Sequence, residues 1–350
     1  MSTAPDAAAE ARAIEDAAAA LARGELVAIP TETVYGLAAR ADDAAAVARI
    51  FAAKGRPSEH PLIVHVADIA AADYFAAVLP EAARRLMTAF WPGPLTLIVP
   101  RRSGVAAAAA GGQSSIGLRM PSHPMALAVL RAAAALGVPG LAAPSANRFG
   151  RVSPTSADHV RAEFGAPLHV LDGGPCEIGI ESAIVDATRE PPALLRPGQL
   201  GRARIEAVLG RRLAERDAAS PRASGTLEAH YAPRAPLRLW STAALAQRVG
   251  TAPGAGRSGG APGAPGAGAE HSVGVYSRLA PAAGWLHRRM PDEADAAAHD
   301  LFAALRWFDD AGATAIWLEQ PPAGPAWEGV RDRVARAAAS SPPSARDSSP

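Results

Sequence analysis

The chain has 350 residues, 49% hydrophobic and 20% charged, with a formal net charge of +1, which fits a soluble globular protein of about two domains. The near-zero charge excludes a polybasic nucleic-acid binder, and a single cysteine, Cys176, excludes an internal disulfide and a cysteine-built zinc site. The Ala-rich start carries Asp6, Glu10 and Glu15 instead of basic residues ahead of an apolar run, and no stretch reaches about 18 uninterrupted apolar residues, so neither a signal peptide nor a membrane span is expected and the cytoplasm is the expected compartment.

Residues 8–23 are strong helix formers closed by Gly24. Residues 25–30 form a short apolar strand that runs into the polar turn Thr31-Glu32-Thr33-Val34-Tyr35-Gly36. A helix is predicted over 44–53, a strand over 62–66 with His65 inside it, and a helix over 81–90. Trp91-Pro92-Gly93-Pro94 must turn, because two prolines and a glycine break any element. Strands follow at 95–99, 116–119, 141–143, 169–171 and 183–185, with helices at 124–135 and 156–164. This irregular alternation predicts an α/β (α+β) domain with a mixed sheet over about residues 8–212. The stretch 213–235, ending in His230-Tyr231-Ala232-Pro233, reads as a linker. Beyond it, strands at 237–240, 273–276 and 313–319 alternate with helices at 242–249, 294–308 and 327–338. That pattern predicts a second, smaller α/β domain over 236–338, built on a parallel sheet. Its Gly/Ala/Pro-rich insertion, 251–269, has too little apolar surface to order itself, and 339–350 is expected to be a disordered tail. G-x-S-x-G and G-x-G-x-x-G matches at 254–260 fall in that insertion without a strand before or a helix after, and are chance.

One compositional bias sharpens the reading. Lys54 is the only lysine, so the other 34 basic residues are arginine, and Asn147 is the only asparagine. Lys54-Gly55-Arg56-Pro57 sets two cations at a helix end, a compact charge and a bidentate fork suited to phosphate. Capping of the preceding helix is the competing reading, but arginine would serve that purpose equally well. Ala143-Pro144-Ser145-Ala146-Asn147 delivers Ser and Asn two apart at a strand end, where one pocket can receive both; an ordinary Ser/Asn turn competes. Thr31, Thr33 and Tyr35 leave a strand directly into a turn, where α/β sheets bind ligands. His65 alone reads as a satisfied core histidine. Arg119, ending the apolar strand in Gly117-Leu118-Arg119-Met120-Pro121, needs an anionic partner, either a structural carboxylate or a substrate carboxylate. Arg196 in Leu195-Arg196-Pro197-Gly198 repeats that pattern. Cations at element ends among small polar groups fit a negatively charged substrate pair, such as a nucleoside triphosphate with a carboxylate.

These segments, with Pro61-Leu62-Ile63-Val64-His65, Trp91-Pro92-Gly93-Pro94-Leu95-Thr96 and Gly179-Ile180-Glu181-Ser182, resemble in order and spacing the YrdC-like domain of threonylcarbamoyl-AMP synthases over about residues 20–210. The region after His230-Tyr231-Ala232-Pro233 resembles the longer, two-domain members, whose second domain is Rossmann-like. The linker reads Ser224-Gly225-Thr226 where a Ser-Pro-Gly-Met-like stretch is typical, and Ala183 stands where Thr usually follows the Ser. The resemblance implies a twisted mixed sheet with flanking helices, and a nucleotidyltransferase reaction of L-threonine, bicarbonate or CO2, and ATP, giving threonylcarbamoyl-AMP and pyrophosphate. The product would serve adenosine modification in tRNA through a downstream transfer machinery, with direct tRNA binding secondary. It further implies that Lys54, Arg56, Ser145 and Asn147 form the phosphate and adenylate cradle, with Ser58, Ser115 and Ser153 adding contacts. Arg196 and Tyr231 would also face ATP, Tyr231 as part of a lid. Thr31, His65, Arg119, the backbone at Ala143 and Ser182 would hold L-threonine. Mg2+ would arrive on ATP, with no protein metal site. Two rival readings are a carbamoyl-transfer module on the same fold, which would usually bring cysteine-rich regions, and an RNA-binding module, which would need a basic aromatic face.

Overall fold

The computed structural model describes residues 4–253 and 273–341. The insertion at 251–269 lies outside the described residues apart from its first three positions, as does the tail beyond Ser341. The chain divides into two units, residues 1–149 with 153–226, and residues 150–152 with 227–350.

The first unit runs α1 (Ala4–Ala22), β1 (Val27–Ile29), β2 (Gly36–Arg40), α2 (Ala44–Lys54), β3 (Ile63–His65), α3 (Ile69–Phe75), α4 (Glu81–Phe90), β4 (Leu95–Pro100), β5 (Ser115–Arg119), α5 (Pro124–Ala135), β6 (Leu141–Ala142), α6 (Ala157–Phe164), β7 (His169–Val170), β8 (Ala183–Asp186), β9 (Ala193–Arg196), α7 (Arg202–Leu209) and β10 (Ala214–Glu215). Local signals set the helix ends. Asp43 caps α2 by accepting from the amides of Ala45 and Ala46, and Gly55 closes it with φ 62° in the left-handed region, where Gly pays no Cβ penalty. Ser156 caps α6, and Pro124 opens α5 where its missing N–H costs nothing.

The strands form a mixed sheet in the order β10-β9-β8-β4-β5-β3-β6-β2-β1-β7. β3 runs parallel to β5 and β4 parallel to β8, while β4–β5, β8–β9 and β3–β6 are antiparallel. Leu97, Val99, Ile116 and Leu118 face one core with Leu86, Met87 and Phe75, and buried Ile63, Ile98, Ile184 and Leu195 cluster on the other face. Sequence reading did not anticipate β2, α3, β9, α7 or β10. β2 (GLAAR) is short and small-residue, and its pairing with β1 and β6 is a tertiary outcome that overrides weak propensity. Residues 213–226 fall in the first unit and 227–235 in the second.

The second unit contains β11 (Leu237–Trp240), α8 (Thr242–Val249), β12 (Val273–Ser277), β13 (Leu286–Arg289), α9 (Ala294–Asp310), β14 (Ala315–Glu319) and α10 (Glu328–Ala339). Its four strands are all parallel, in the order β11-β14-β12-β13. β13 (LHRR) is too polar to be read as a strand and sits at the sheet edge. α9 buries Ala294, Ala297, Ala298, Leu301, Phe302, Leu305 and Phe308, one face at helical spacing. A Cβ at Gly274 would lie 2.4 Å from the Phe308 ring, so glycine is what lets α9 approach β12. Ala339 ends α10, and Ser341 Oγ accepts from the Leu237 amide at 2.8 Å, so the first residues of the expected disordered tail are built into the unit.

Candidate functional site

Strand register assembles the site in the first unit. β9 and β8 set Arg196 opposite Ile184, β8 and β4 set Ile184 opposite Thr96, and β5 and β3 set Arg119 opposite His65. Since Leu97 pairs with Leu118, Thr96 faces Arg119 across β4 and β5. Side chains paired in register share a sheet face, so Arg196, Ile184, Thr96, Arg119 and His65 form a row across five strands. One step along lie Ile63, Gly117 and Ile98, which with Ile184 and Thr96 of the row floor a cleft rimmed by Ser115 and Gln113 and roofed by Arg222, Ala223 and Ser224.

Four cations of the first unit are buried: Lys54, Arg56, Arg119 and Arg196. Lys54, at the end of α2, donates from Nζ to the carbonyls of Ser145 (2.6 Å) and Asn147 (2.5 Å). Burial, and then the Arg56 charge, hold its ammonium well below the usual lysine range. A polyanion beside it would reverse that penalty. An ammonium has three donors, so one N–H has no partner among the described residues. Arg56 donates to the Pro61 carbonyl (3.0 Å) and to Ser224 Oγ (3.2 Å), and its guanidinium lies 5.6 Å from the Phe149 ring centre. Arg196 donates to the Ser182 carbonyl (3.1 Å), Ser182 Oγ (3.3 Å) and the Ser224 carbonyl (2.9 Å). Ser224, which lines the cleft, thus links the two arginines.

At the other end of the row, Arg119 finds a structural carboxylate. Its Nη2 donates to Glu32 Oε1 at 2.6 Å, both side chains being 4% exposed, and its Nε donates to the Gly93 carbonyl at 3.3 Å. Glu32 Oε2 accepts from the Ser122 amide at 3.1 Å. His65, read from its strand as a satisfied core histidine, is buried against the Ile63 and Leu141 backbone, and its Nδ1 has no hydrogen-bond partner among the described residues. Burial, and then the Arg119 charge, push its pKa down to about 3, so the ring is neutral. Thr31 Oγ1 donates to the Val34 carbonyl (2.6 Å), accepts from the Thr33 and Val34 amides, and lies 2.9 Å from Thr33 Oγ1, building the turn that presents Glu32. Ala143 donates its amide to the Ile63 carbonyl, bringing the Ser145 stretch to the cleft floor. Ser182 Oγ lies 2.8 Å from Thr96 Oγ1.

Of the expected site residues, Ser115 lines the cleft, Arg56, Arg196, Ser182 and Ala143 contact residues that line it, Arg119 and His65 share its sheet face, and Lys54 holds the Ser145–Asn147 turn. Ser153 is buried, with Oγ donating to Glu181 Oε1 at 2.5 Å. Ser58 is exposed in a separate shallow groove with Glu59, Ala107 and Gly111. Tyr231 belongs to the second unit, is 1% exposed, takes φ 62°, and packs on Phe302 at 5.3 Å between ring centres with the Arg333 guanidinium 5.5 Å away. Sequence reasoning did not single out Glu32, Thr96, Glu181 or Ser224 as site residues. The two-residue alternation of Thr96 with Ile98 was the available signal for one of them.

The first unit is thus a mixed α/β unit that buries four cations, Lys54, Arg56, Arg119 and Arg196, among serine, threonine and backbone polar groups. Residues 19–198 match the Sua5/YciO/YrdC family model, whose description reads telomere recombination, and residues 200–339 match the model of the threonylcarbamoyl-AMP synthase C-terminal domain. The chain belongs to the Sua5/YciO/YrdC family and is of its two-domain type. It is 45% identical over 233 residues to the threonylcarbamoyl-AMP synthase of Bacillus subtilis, covering 65% of this chain and 66% of the relative. Identity to the Pyrococcus abyssi enzyme of that name is 44% over 228 residues, 63% of this chain and 66% of the relative. The chain thus spans about two thirds of the length of these curated relatives. The crystal structure of P. abyssi Sua5 complexed with L-threonine superposes with a TM-score of 0.81 at 35% identity, over 93% of this chain and 94% of the other.

Proposed function

We propose that the chain is an L-threonylcarbamoyladenylate synthase, a nucleotidyltransferase that joins L-threonine, bicarbonate or CO2, and ATP and releases pyrophosphate. The observation that carries this reading is the single lysine, buried between two carbonyls of the Ser145–Asn147 turn beside Arg56, a cradle whose unspent donor and depressed pKa call for a polyanion. The likeness to Sua5 supplies the second substrate class.

Lys54, Arg56 and Arg196 neutralise the triphosphate, which arrives as its Mg2+ complex. Arg119 takes the threonine carboxylate on its uncommitted Nη1, with neutral His65 and Ser182 beside it. Threonine's amine attacks the carbon of CO2 and gives up a proton, forming a carbamate. A carbamate oxygen attacks the α-phosphorus, and the bond to pyrophosphate breaks. The protein positions the substrates and compensates charge; no side-chain nucleophile is needed, and buried Cys176, its thiol pushed up to about 12 by burial, is unsuited to be one. The adenylate would pass to tRNA-modifying partners in the cytoplasm. Among the described residues no helix is long and apolar enough to cross a membrane.

The test is pyrophosphate release from ATP with each cosubstrate omitted in turn. Release that requires both threonine and bicarbonate is expected; release indifferent to threonine would refute the reading.

A further inference from the structure

The Arg119–Glu32 pair is costly. Two opposite charges, each 4% exposed, have left water for one hydrogen bond of 2.6 Å, and an apolar pair of similar volume would often be as stable. A pair kept for stability would use up its hydrogen-bonding capacity. This one does not. Arg119 has five donors, and the described residues engage only Nη2 and Nε. A carboxylate has about four lone-pair sites, and Glu32 accepts only from Arg119 and the Ser122 amide. Both partners therefore present unused capacity of opposite sign, next to the orphan Nδ1 of His65, which pairs in register with Arg119.

A lone Arg119 would accept any small carboxylate. An arginine with a carboxylate fixed against it presents a positive and a negative pole side by side, which is the complement of an amino acid carrying a carboxylate and an amino group. We propose that Glu32 is a specificity-determining residue: its carboxylate holds Arg119 in place and reads the amino group of the substrate, so that the pocket selects α-amino acids over carboxylic acids that lack the amine. This rests on the functional reading above, in which Arg119 binds threonine. Glu32 touches no reacting phosphate and acts in recognition.

The probe is 3-hydroxybutanoate, which is threonine without its amino group, used as an inhibitor of threonine-dependent pyrophosphate release. The wild-type protein is assayed first for threonine dependence, and its absence would count against the functional reading rather than against Glu32. In the wild type the analogue Ki should exceed the threonine KM by at least about 30-fold, since an amine-reading carboxylate is left unpaired. Equal affinities would overturn the proposal without any variant. In Glu32→Gln, the threonine KM should rise about tenfold, the analogue Ki should fall about threefold, and the KM for ATP should stay within about threefold. A threonine KM and an analogue Ki that shift by the same factor, or not at all, would mean that Glu32 only braces the fold. Glu32→Asp keeps the charge and should retain the discrimination to within about threefold; its loss there also overturns the proposal.

Discussion

Outside the Arg119–Glu32 pair, the two units offer their cations different kinds of hydrogen-bond partner. In the second, carboxylates consume the cations: buried Glu319 accepts from Thr242 Oγ1 (2.8 Å), from the Arg278 amide (2.7 Å) and from the Arg278 guanidinium, while Asp300 takes the Tyr276 hydroxyl (3.0 Å) and Arg288. In the first, Lys54, Arg56 and Arg196 hydrogen-bond to backbone carbonyls and serine hydroxyls. A carbonyl satisfies a hydrogen bond without cancelling a charge, so Lys54, held by two carbonyls, keeps its field for a ligand. The lesson is that the kind of partner, more than burial itself, separates a binding charge from a structural one.

The strongest way to break this contrast is Lys54→Ala, expected to lower kcat/KM for ATP by about 10²–10³-fold, the scale of losing one preorganised charge on a transferring phosphoryl group. Lys54→Arg should restore less than a tenth of the activity, because a planar guanidinium cannot occupy the seat between the Ser145 and Asn147 carbonyls. Initial rates over an ATP titration check both. Glu319→Gln should do the reverse: a loss of about 2 kcal/mol in chemical denaturation, with pyrophosphate release per folded molecule within about twofold of wild type. A large catalytic loss there would erase the contrast.

A smaller effect comes from His65, whose pKa falls from 6.5 to about 3 in the folded protein. Below 6.5 the unfolded chain binds a proton that the folded one refuses, so stability present above 6.5 is lost as pH falls toward 3. The slope is up to about 1.4 kcal/mol per pH unit, or about 2 kcal/mol between pH 6.5 and pH 5. His65→Gln should flatten that part of the profile, as denaturant titrations at pH 7, 6 and 5 would show. The mildest change is Thr96→Val, which removes the contact with Ser182 and should cost about 1 kcal/mol while raising the threonine KM two- to threefold.

Much of the architecture was legible in the sequence because local signals agreed with the fold. Residue pattern placed α2, α4, α5, α6, α8 and α9, and the lone lysine and asparagine marked chemistry that arginine and aspartate could not replace. Strands were harder where they were short, small-residue or polar, as in β2 and β13, since only a neighbouring strand makes such a segment extended.

What composition and motif order determined was the kind of chemistry: cations at element ends, small polar groups between them, and a sheet to hold both. Tertiary structure alone decided which strands stand side by side, and so that Arg196, Thr96, Arg119 and His65, far apart in the chain, share one row. It also decided that Arg119's nearest carboxylate is Glu32, from a turn 87 positions away in sequence. A sequence specifies each residue's charge and local backbone preference, but register and burial set which charges meet and how strongly they act, and those exist only once the sheet has formed.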